Sequence, residues 1–124
     1  MIDGGSTDGS RQLLEQYNDQ ITYWCSEPDK GIYDAMNKGL RYSTGDIVGI
    51  VNADDWLEPD ALQIVAKAFE STGADVVHGD IYIVDVHETR SLHRPIMKEY
   101  GIWNGMFVCH PATFVKRSVY EKVG

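Results

Sequence analysis

The sequence predicts an α/β fold, and three observations lead to that prediction. Short apolar stretches of strand length alternate with segments whose apolar residues recur at helical spacing, the order of elements typical of α/β proteins. The continuous apolar run over residues 47–51 is typical of a strand buried on both faces of a parallel sheet. Loops rich in Asp, Asn and Gly follow three predicted strands, and α/β sheets bind ligands at such strand ends.

The composition excludes several classes of protein. With 124 residues, of which 43% are hydrophobic and 24% charged, the chain is predicted to be one globular domain over residues 1–124. A net charge of −8 argues against nucleic-acid binding through a basic surface. The sequence contains no apolar run near the roughly 20 residues of a membrane helix and does not open as a signal peptide does. Cys25 and Cys109 form no CxxC motif and are expected to be free, buried thiols.

The first half of the chain is predicted to alternate strands and helices. Ile2 has the character of the end of a strand, and the turn-forming loop 3–9 leads into a helix over residues 10–17. Residues 21–25 alternate as a strand does, and the polar loop 27–31 follows. A second helix begins at Ile32, ends at 43–46, and has one apolar stripe made of Ile32, Ala35, Met36, Gly39 and Leu40.

The second half continues the pattern after the strand at residues 47–51. Pro59 is expected in the first turn of a helix whose apolar stripe consists of Ala61, Leu62, Val65, Ala68 and Phe69. Strands are predicted over residues 75–78, 81–86 and 109–115, and a last helix over 117–123.

The segment Asn52-Ala53-Asp54-Asp55 places three oxygen-bearing side chains directly after an apolar strand. Hard divalent cations prefer such oxygens, and Mg²⁺ or Mn²⁺ commonly takes one or two protein carboxylates together with substrate phosphates. The alternative is that these carboxylates only cap the helix that follows and interact with its dipole.

The loop over residues 3–9 lacks the register of an EF-hand and the lysine of a Walker loop. Its glycines permit a close backbone approach, which leaves Asp3 free to accept hydrogen bonds from a base or a ribose. The alternative is a plain turn between strand and helix, with Ser6 or Asp8 as the helix cap. Lys30 and Lys38 are either phosphate contacts or solvated lysines, and His110 is either structural or part of a site.

Residues 3–10, 27–39 and 51–56, in this order, resemble the family 2 glycosyltransferases of the GT-A fold. The stretch SEPDKGIYDAMNKG followed by TGDIVGIVNADDW is similar to the branch that builds bacterial cell-surface polysaccharides. The resemblance implies a Rossmann-like, mostly parallel sheet flanked by helices. It also implies that the family's first strand, loop and helix would precede Asp3, so that the domain is incomplete and leaves a sheet edge open to pairing with a second copy.

The resemblance implies a nucleotide-sugar donor, usually UDP-linked, and a Mn²⁺ or Mg²⁺ ion. Asp3 matches the residue that reads the base, and Asp29 lies in the second loop that lines the nucleotide pocket. Asn52, Asp54 and Asp55 match the DxD-type motif, with Asn52 in place of its first Asp. Asp54 and Asp55 are therefore expected to hold the ribose and the metal.

The family transfers sugars with inversion in one displacement, and its general base is expected beyond Gly124. Asp80 and His110 are candidate acceptor contacts. The predicted function is an inverting, metal-dependent glycosyltransferase that acts on a saccharide or glycolipid acceptor for surface polysaccharides, in the cytoplasm at the inner face of the membrane. The chain alone is expected to bind UDP weakly and to transfer sugar poorly.

Two alternatives come from other classes of protein. One is a non-catalytic nucleotide-binding or oligomerising module derived from the same fold. The other is a nucleotidyl-type α/β enzyme that prefers a nucleoside triphosphate to UDP.

Overall fold

The structure, a computed structural model, describes residues 1–95 and 108–123. The chain divides into two compact units, Met1–Thr44 and Gly45–Gly124, and each unit is described by itself.

The first unit contains a two-stranded parallel sheet and two helices. Its elements are β1 (Ile2–Asp3), α1 (Ser10–Gln16), a 3₁₀ turn (Asn18–Gln20), β2 (Cys25–Ser26) and α2 (Ile32–Tyr42). Ile2 is opposite Cys25 and Asp3 is opposite Ser26. Leu14 of α1 is only 7% exposed and forms the buried centre of this unit. Because β1 and β2 are parallel, their carboxyl ends and the loops that follow lie at the same edge.

Both helices of the first unit confirm the sequence prediction, whereas the strand predicted over residues 21–25 is wrong except at Cys25. A strand requires a partner, and β1 is two residues long, so β2 extends only over Cys25–Ser26. The chain before β2 is held by a side-chain contact instead, since Trp24 Nε1 donates a hydrogen bond to Asn18 Oδ1 at 2.9 Å.

The second unit is built around a three-stranded sheet, in which Thr113–Lys116 lies between Ile47–Gly49 and Val76–His78. Its elements are β3 (Ile47–Gly49), α3 (Ala61–Thr72), β4 (Val76–His78), β5 (Ile81–Val84), β6 (Arg90–His93), a 3₁₀ turn (His110–Ala112), β7 (Thr113–Lys116) and α4 (Arg117–Val123). β7 is antiparallel to both neighbours, so β3 and β4 run in the same direction. β5 and β6 form a separate antiparallel hairpin.

Phe69 on α3 and Phe114 on β7 form the buried centre of the second unit, and each is 6% exposed. Gly49 is the register partner of Phe114. A Cβ atom at position 49 would lie 2.5 Å from a carbon of the Phe114 ring. The aromatic ring therefore covers β3 because position 49 has no side chain.

The apolar run 47–51 forms a shorter strand than predicted, and its ladder is antiparallel. β3 ends at Gly49 and Val51 is exposed. A run of apolar residues indicates burial but does not reveal the direction of the partner strand, here β7. The strand predicted over residues 109–115 begins at Thr113, because Pro111 cannot donate a ladder hydrogen bond and lies in a 3₁₀ turn instead.

The other elements predicted for the second unit agree with the structure in type. β4 and α4 are confirmed, whereas Pro59, expected in the first turn of α3, lies before the cap residue Asp60, since the helix begins at Ala61. β5 ends before Asp85, whose carboxylate accepts hydrogen bonds from the backbone N–H groups of His87 and Thr89 and so begins the hairpin turn. β6 was not predicted, since its four residues are polar or exposed. Together the two units confirm a mixed α/β architecture.

Candidate functional site

Asp3 is held at the end of β1 by two serine side chains. Its carboxylate accepts hydrogen bonds from Ser26 Oγ at 2.6 Å and from the backbone N–H of Ser6 at 3.0 Å, and Ser6 Oγ also donates to it. The hydroxyl of Ser26, followed by that of Ser6, holds the pKa of Asp3 below its ordinary value. Asp3 is therefore a charged acceptor in a fixed orientation.

Ser6 does not cap α1, whereas Asp8, one residue before the cap position, accepts the backbone N–H of Ser10, the first residue of the helix, and so meets the capping alternative in part. The cap position is Gly9, which has φ of 100° and receives no side-chain hydrogen bond. Asp8 accepts hydrogen bonds from the backbone N–H and the hydroxyl of Ser10. Ser6 is used to orient Asp3, which favours a role for this loop beyond a plain turn.

Asp29 lies against the same loop. A Cβ atom at Gly4 would be 2.6 Å from Asp29 Oδ2, so the two loops approach closely because position 4 is glycine. The backbone N–H of Glu27 also donates to the carbonyl of Asp3 at 3.1 Å. Asp29 Oδ1 accepts a hydrogen bond from the N–H of Gly31 at 2.8 Å. The structure therefore brings together the loops of Asp3 and Asp29, as expected for the ends of parallel strands.

The segment Asn52–Asp55 forms a tight turn in the second unit. The N–H of Asp55 donates to the carbonyl of Asn52 at 3.1 Å, and Asn52 Nδ2 donates to Asp55 Oδ2 at 2.9 Å. Asn52 thus orients one carboxylate, where the resemblance implied an acidic residue. The cap position of α3 is Asp60, so neither Asp54 nor Asp55 caps that helix.

The donor set at Asp54 and Asp55 fits a Mg²⁺ or Mn²⁺ ion that takes most of its ligands from substrate phosphates and water. It does not fit an ion enclosed by protein, because among the described residues no three His, Cys, Asp or Glu side chains come close enough to hold one. Asp55 keeps one carboxylate oxygen outside its bond to Asn52, and Asp54 is exposed.

A cavity of about 590 Å³ in the second unit connects this turn with Asp80. Asp54, Asp55 and Asp80 line it together with Trp56 and His78, and α3 contributes an apolar wall. Three of the predicted residues of the second unit thus share one cavity.

His110 does not line that cavity, although Pro111 and Ala112 do. Within residues 1–95 and 108–123, the buried atoms His78 Nδ1 and His110 Nε2 have no hydrogen-bond partner. Asp80 Oδ2 accepts a hydrogen bond from Arg94 Nε at 3.1 Å. Burial, followed by the nearby charge of Asp80, raises the pKa of the Cys109 thiol. Cys25 and Cys109 are both free and partly buried.

Ser26 and His78 were not among the site residues predicted from the sequence. Ser26 is opposite Asp3 in the parallel pair, so the signal was the strand register, which the misplaced end of the predicted strand concealed. His78 is the last residue of β4, directly before Gly79 and Asp80, so its position at a strand end was the available signal.

The profile of the family described as "Glycosyl transferase family 2" matches residues 1–124. The chain belongs to this family. The family has the GT-A fold, with which the mixed α/β architecture of the chain agrees. The chain is 31% identical over 130 residues to an uncharacterized glycosyltransferase of Mycobacterium tuberculosis, covering 100% of this chain and 48% of that protein.

Two further relatives are also named as glycosyltransferases. A PGL/p-HBAD biosynthesis glycosyltransferase of Mycobacterium bovis is 29% identical over 140 residues, with 100% of this chain and 49% of that protein covered. Glycosyltransferase GlyA of Streptococcus pneumoniae is 27% identical over 125 residues, with 99% and 15% covered. The chain spans about half the length of the mycobacterial relatives it matches. Among the described residues no helix is long and apolar enough to cross a membrane.

Proposed function

We propose that this chain binds a UDP-linked sugar and takes part in the transfer of that sugar to a saccharide or lipid-linked acceptor. The observation that carries the proposal is the pair of loops at the ends of β1 and β2, where Asp3 is fixed by two serines and Asp29 lies against Gly4. Two carboxylates beside exposed backbone are suited to hydrogen-bonding the base and ribose of a nucleoside. Family membership and the names of the relatives support glycosyl transfer.

In this proposal Asp54 and Asp55 would hold the divalent cation that accompanies the donor's diphosphate, and Asn52 keeps the Asp55 carboxylate in place. A bound Mg²⁺ or Mn²⁺ would neutralise charge that develops on the departing nucleoside diphosphate. Trp56 and apolar residues of α3 line the cavity beside these carboxylates. Asp80 and His110 are proposed as contacts on the acceptor side, with Asp80 accepting hydrogen bonds from acceptor hydroxyls.

The reaction is proposed to invert the anomeric centre. The proposed setting is surface-polysaccharide assembly at the cytoplasmic side of the membrane, where the protein would associate peripherally. Pairing of two copies of the chain stays a prediction, and size-exclusion chromatography with light scattering would measure it.

The test is isothermal titration of UDP with and without Mn²⁺ for the wild-type chain and for Asp55→Ala. We expect Mn²⁺ to strengthen binding of UDP to the wild type, and Asp55→Ala to remove that effect. Asp60→Ala is the matched control, because Asp60 is a carboxylate of the same cavity outside the Asn52–Asp55 turn. UDP binding that is indifferent to Mn²⁺ in all three proteins would favour the non-catalytic module, and a preference for ATP over UDP would favour a nucleotidyl-type enzyme.

A further inference from the structure

Lys38 lies in the second turn of α2 and reaches back to the loop that carries Asp29. Its Nζ is 3.0 Å from Glu27 Oε1 and 3.5 Å from Asp34 Oδ2. It also donates a hydrogen bond to the carbonyl of Pro28 at 3.4 Å. The Lys38 side chain is 18% exposed, far less than that of a solvated lysine on a helix surface.

The partners of Lys38 connect it to both ends of the loop. Glu27 and Pro28 precede Asp29. Asp34 follows it, and its Oδ2 also accepts a hydrogen bond from the backbone N–H of Lys30 at 3.1 Å. The Lys38 ammonium group therefore contacts residues on both sides of Asp29 in the sequence.

The N–H donors of the Lys38 ammonium group already face acceptors within the chain. An ammonium group has three N–H donors, and three acceptors surround it. The hydrogen bond to Glu27 raises the pKa of Lys38, so the group remains charged at neutral pH. A phosphate contact would require Lys38 to give up one of these partners, which argues against the phosphate-binding role considered for it from sequence.

We propose that Lys38 is a positioning residue: it fixes the loop 27–31 so that Asp29 is held against Gly4, and it does not touch the ligand. The inference rests on the proposed function, in which Asp29 contacts the nucleoside. Lys38 acts on nucleoside affinity through the loop, so its loss should affect a nucleoside as strongly as a nucleoside diphosphate.

The experiment compares Lys38→Met with Lys67→Met, titrating uridine and UDP separately while following amide resonances by NMR. Lys67 is the control because it is an exposed helix lysine outside the proposed binding loops and undergoes the same chemical change. We expect Lys38→Met to weaken uridine and UDP binding by the same factor, about tenfold. Lys67→Met should change either affinity less than about twofold.

A loss of UDP affinity with unchanged uridine affinity would overturn the inference, since that pattern marks a phosphate ligand. A lowered melting temperature with unchanged affinities would also overturn it, because Lys38 would then be merely structural. Lys38→Arg should restore part of the affinity for both ligands.

The loop has a readout that needs no ligand. The temperature coefficients of the Lys30 and Gly31 amide protons report their hydrogen bonds to Asp34 and Asp29. Lys38→Met should make both temperature coefficients more negative, toward those of amides exposed to water. Unchanged coefficients would contradict the inference even if the nucleotide binds. Absence of any uridine or UDP binding to the wild type would instead contradict the proposed function.

Discussion

The contact between Gly49 and Phe114 makes a specific prediction about the core of the second unit. In Gly49→Ala the new Cβ would lie 2.5 Å and 2.6 Å from two carbons of the Phe114 ring. Carbon atoms do not approach this closely without repulsion, so the ring must tilt or β3 must move away from β7. Phe114 is 6% exposed, which leaves the ring little room to turn.

The expected cost is about 2 kcal/mol of unfolding free energy, the middle of the range of about 1–3 kcal/mol for added core methylenes. For a domain of this size that corresponds to a melting temperature lowered by about 6–10 °C. Thermal unfolding followed by circular dichroism measures the shift.

Gly45→Ala is the control, because its new Cβ would meet the carbonyl of Ile47 at an ordinary 3.5 Å. We expect that variant to stay within about 0.5 kcal/mol of the wild type. The double variant Gly49→Ala with Phe114→Leu should lose less stability than the sum of the two single changes, since both act on one contact. If Gly49→Ala has the same melting temperature as the wild type, the packing of β3 against Phe114 is not as described.

Three further predictions concern the first unit. Gly39→Ala should stabilise the chain by up to about 1 kcal/mol in urea unfolding, because alanine favours a helix interior and its Cβ would meet Ile2 at an ordinary 3.6 Å. Because its folded pKa is lowered, Asp3 should add stability above pH 3.8 that is lost as the pH falls through the folded value; Ser26→Ala should raise the Asp3 pKa in an NMR titration. Gly4→Ala should displace the Asp29 carboxylate, whose Oδ2 would lie 2.6 Å from the new Cβ, and weaken UDP binding about tenfold in calorimetry, with a melting temperature near that of the wild type.

The sequence predicts the helices of this chain better than its strands. The stripe of α2 repeats over three turns between a glycine and a polar stop, so local periodicity determines the element. The end of a strand depends on its partner, which is distant in sequence. The strand expected over residues 21–25 therefore shrinks to the two residues that face β1.

The candidate site was predictable where it depended on strand ends and not where it depended on register. The loops of Asp3 and Asp29 were selected because each follows a predicted strand, and the two loops do meet. The role of Ser26 requires the pairing of β1 with β2, and the three partners of Lys38 require the path of the loop before α2. Such contacts between separate segments leave no periodic signal in a single sequence.

The most direct test of the central claim is a thermal melt of the purified chain alone, with UDP, with Mn²⁺, and with both. A ligand that binds only the folded state raises the melting temperature, by an amount equivalent to about 2.7 kcal/mol at a hundred times its Kd. We predict a rise that needs UDP and Mn²⁺ together. A cooperative melt at the same temperature in all four conditions would contradict the proposal that this chain binds a nucleotide-sugar.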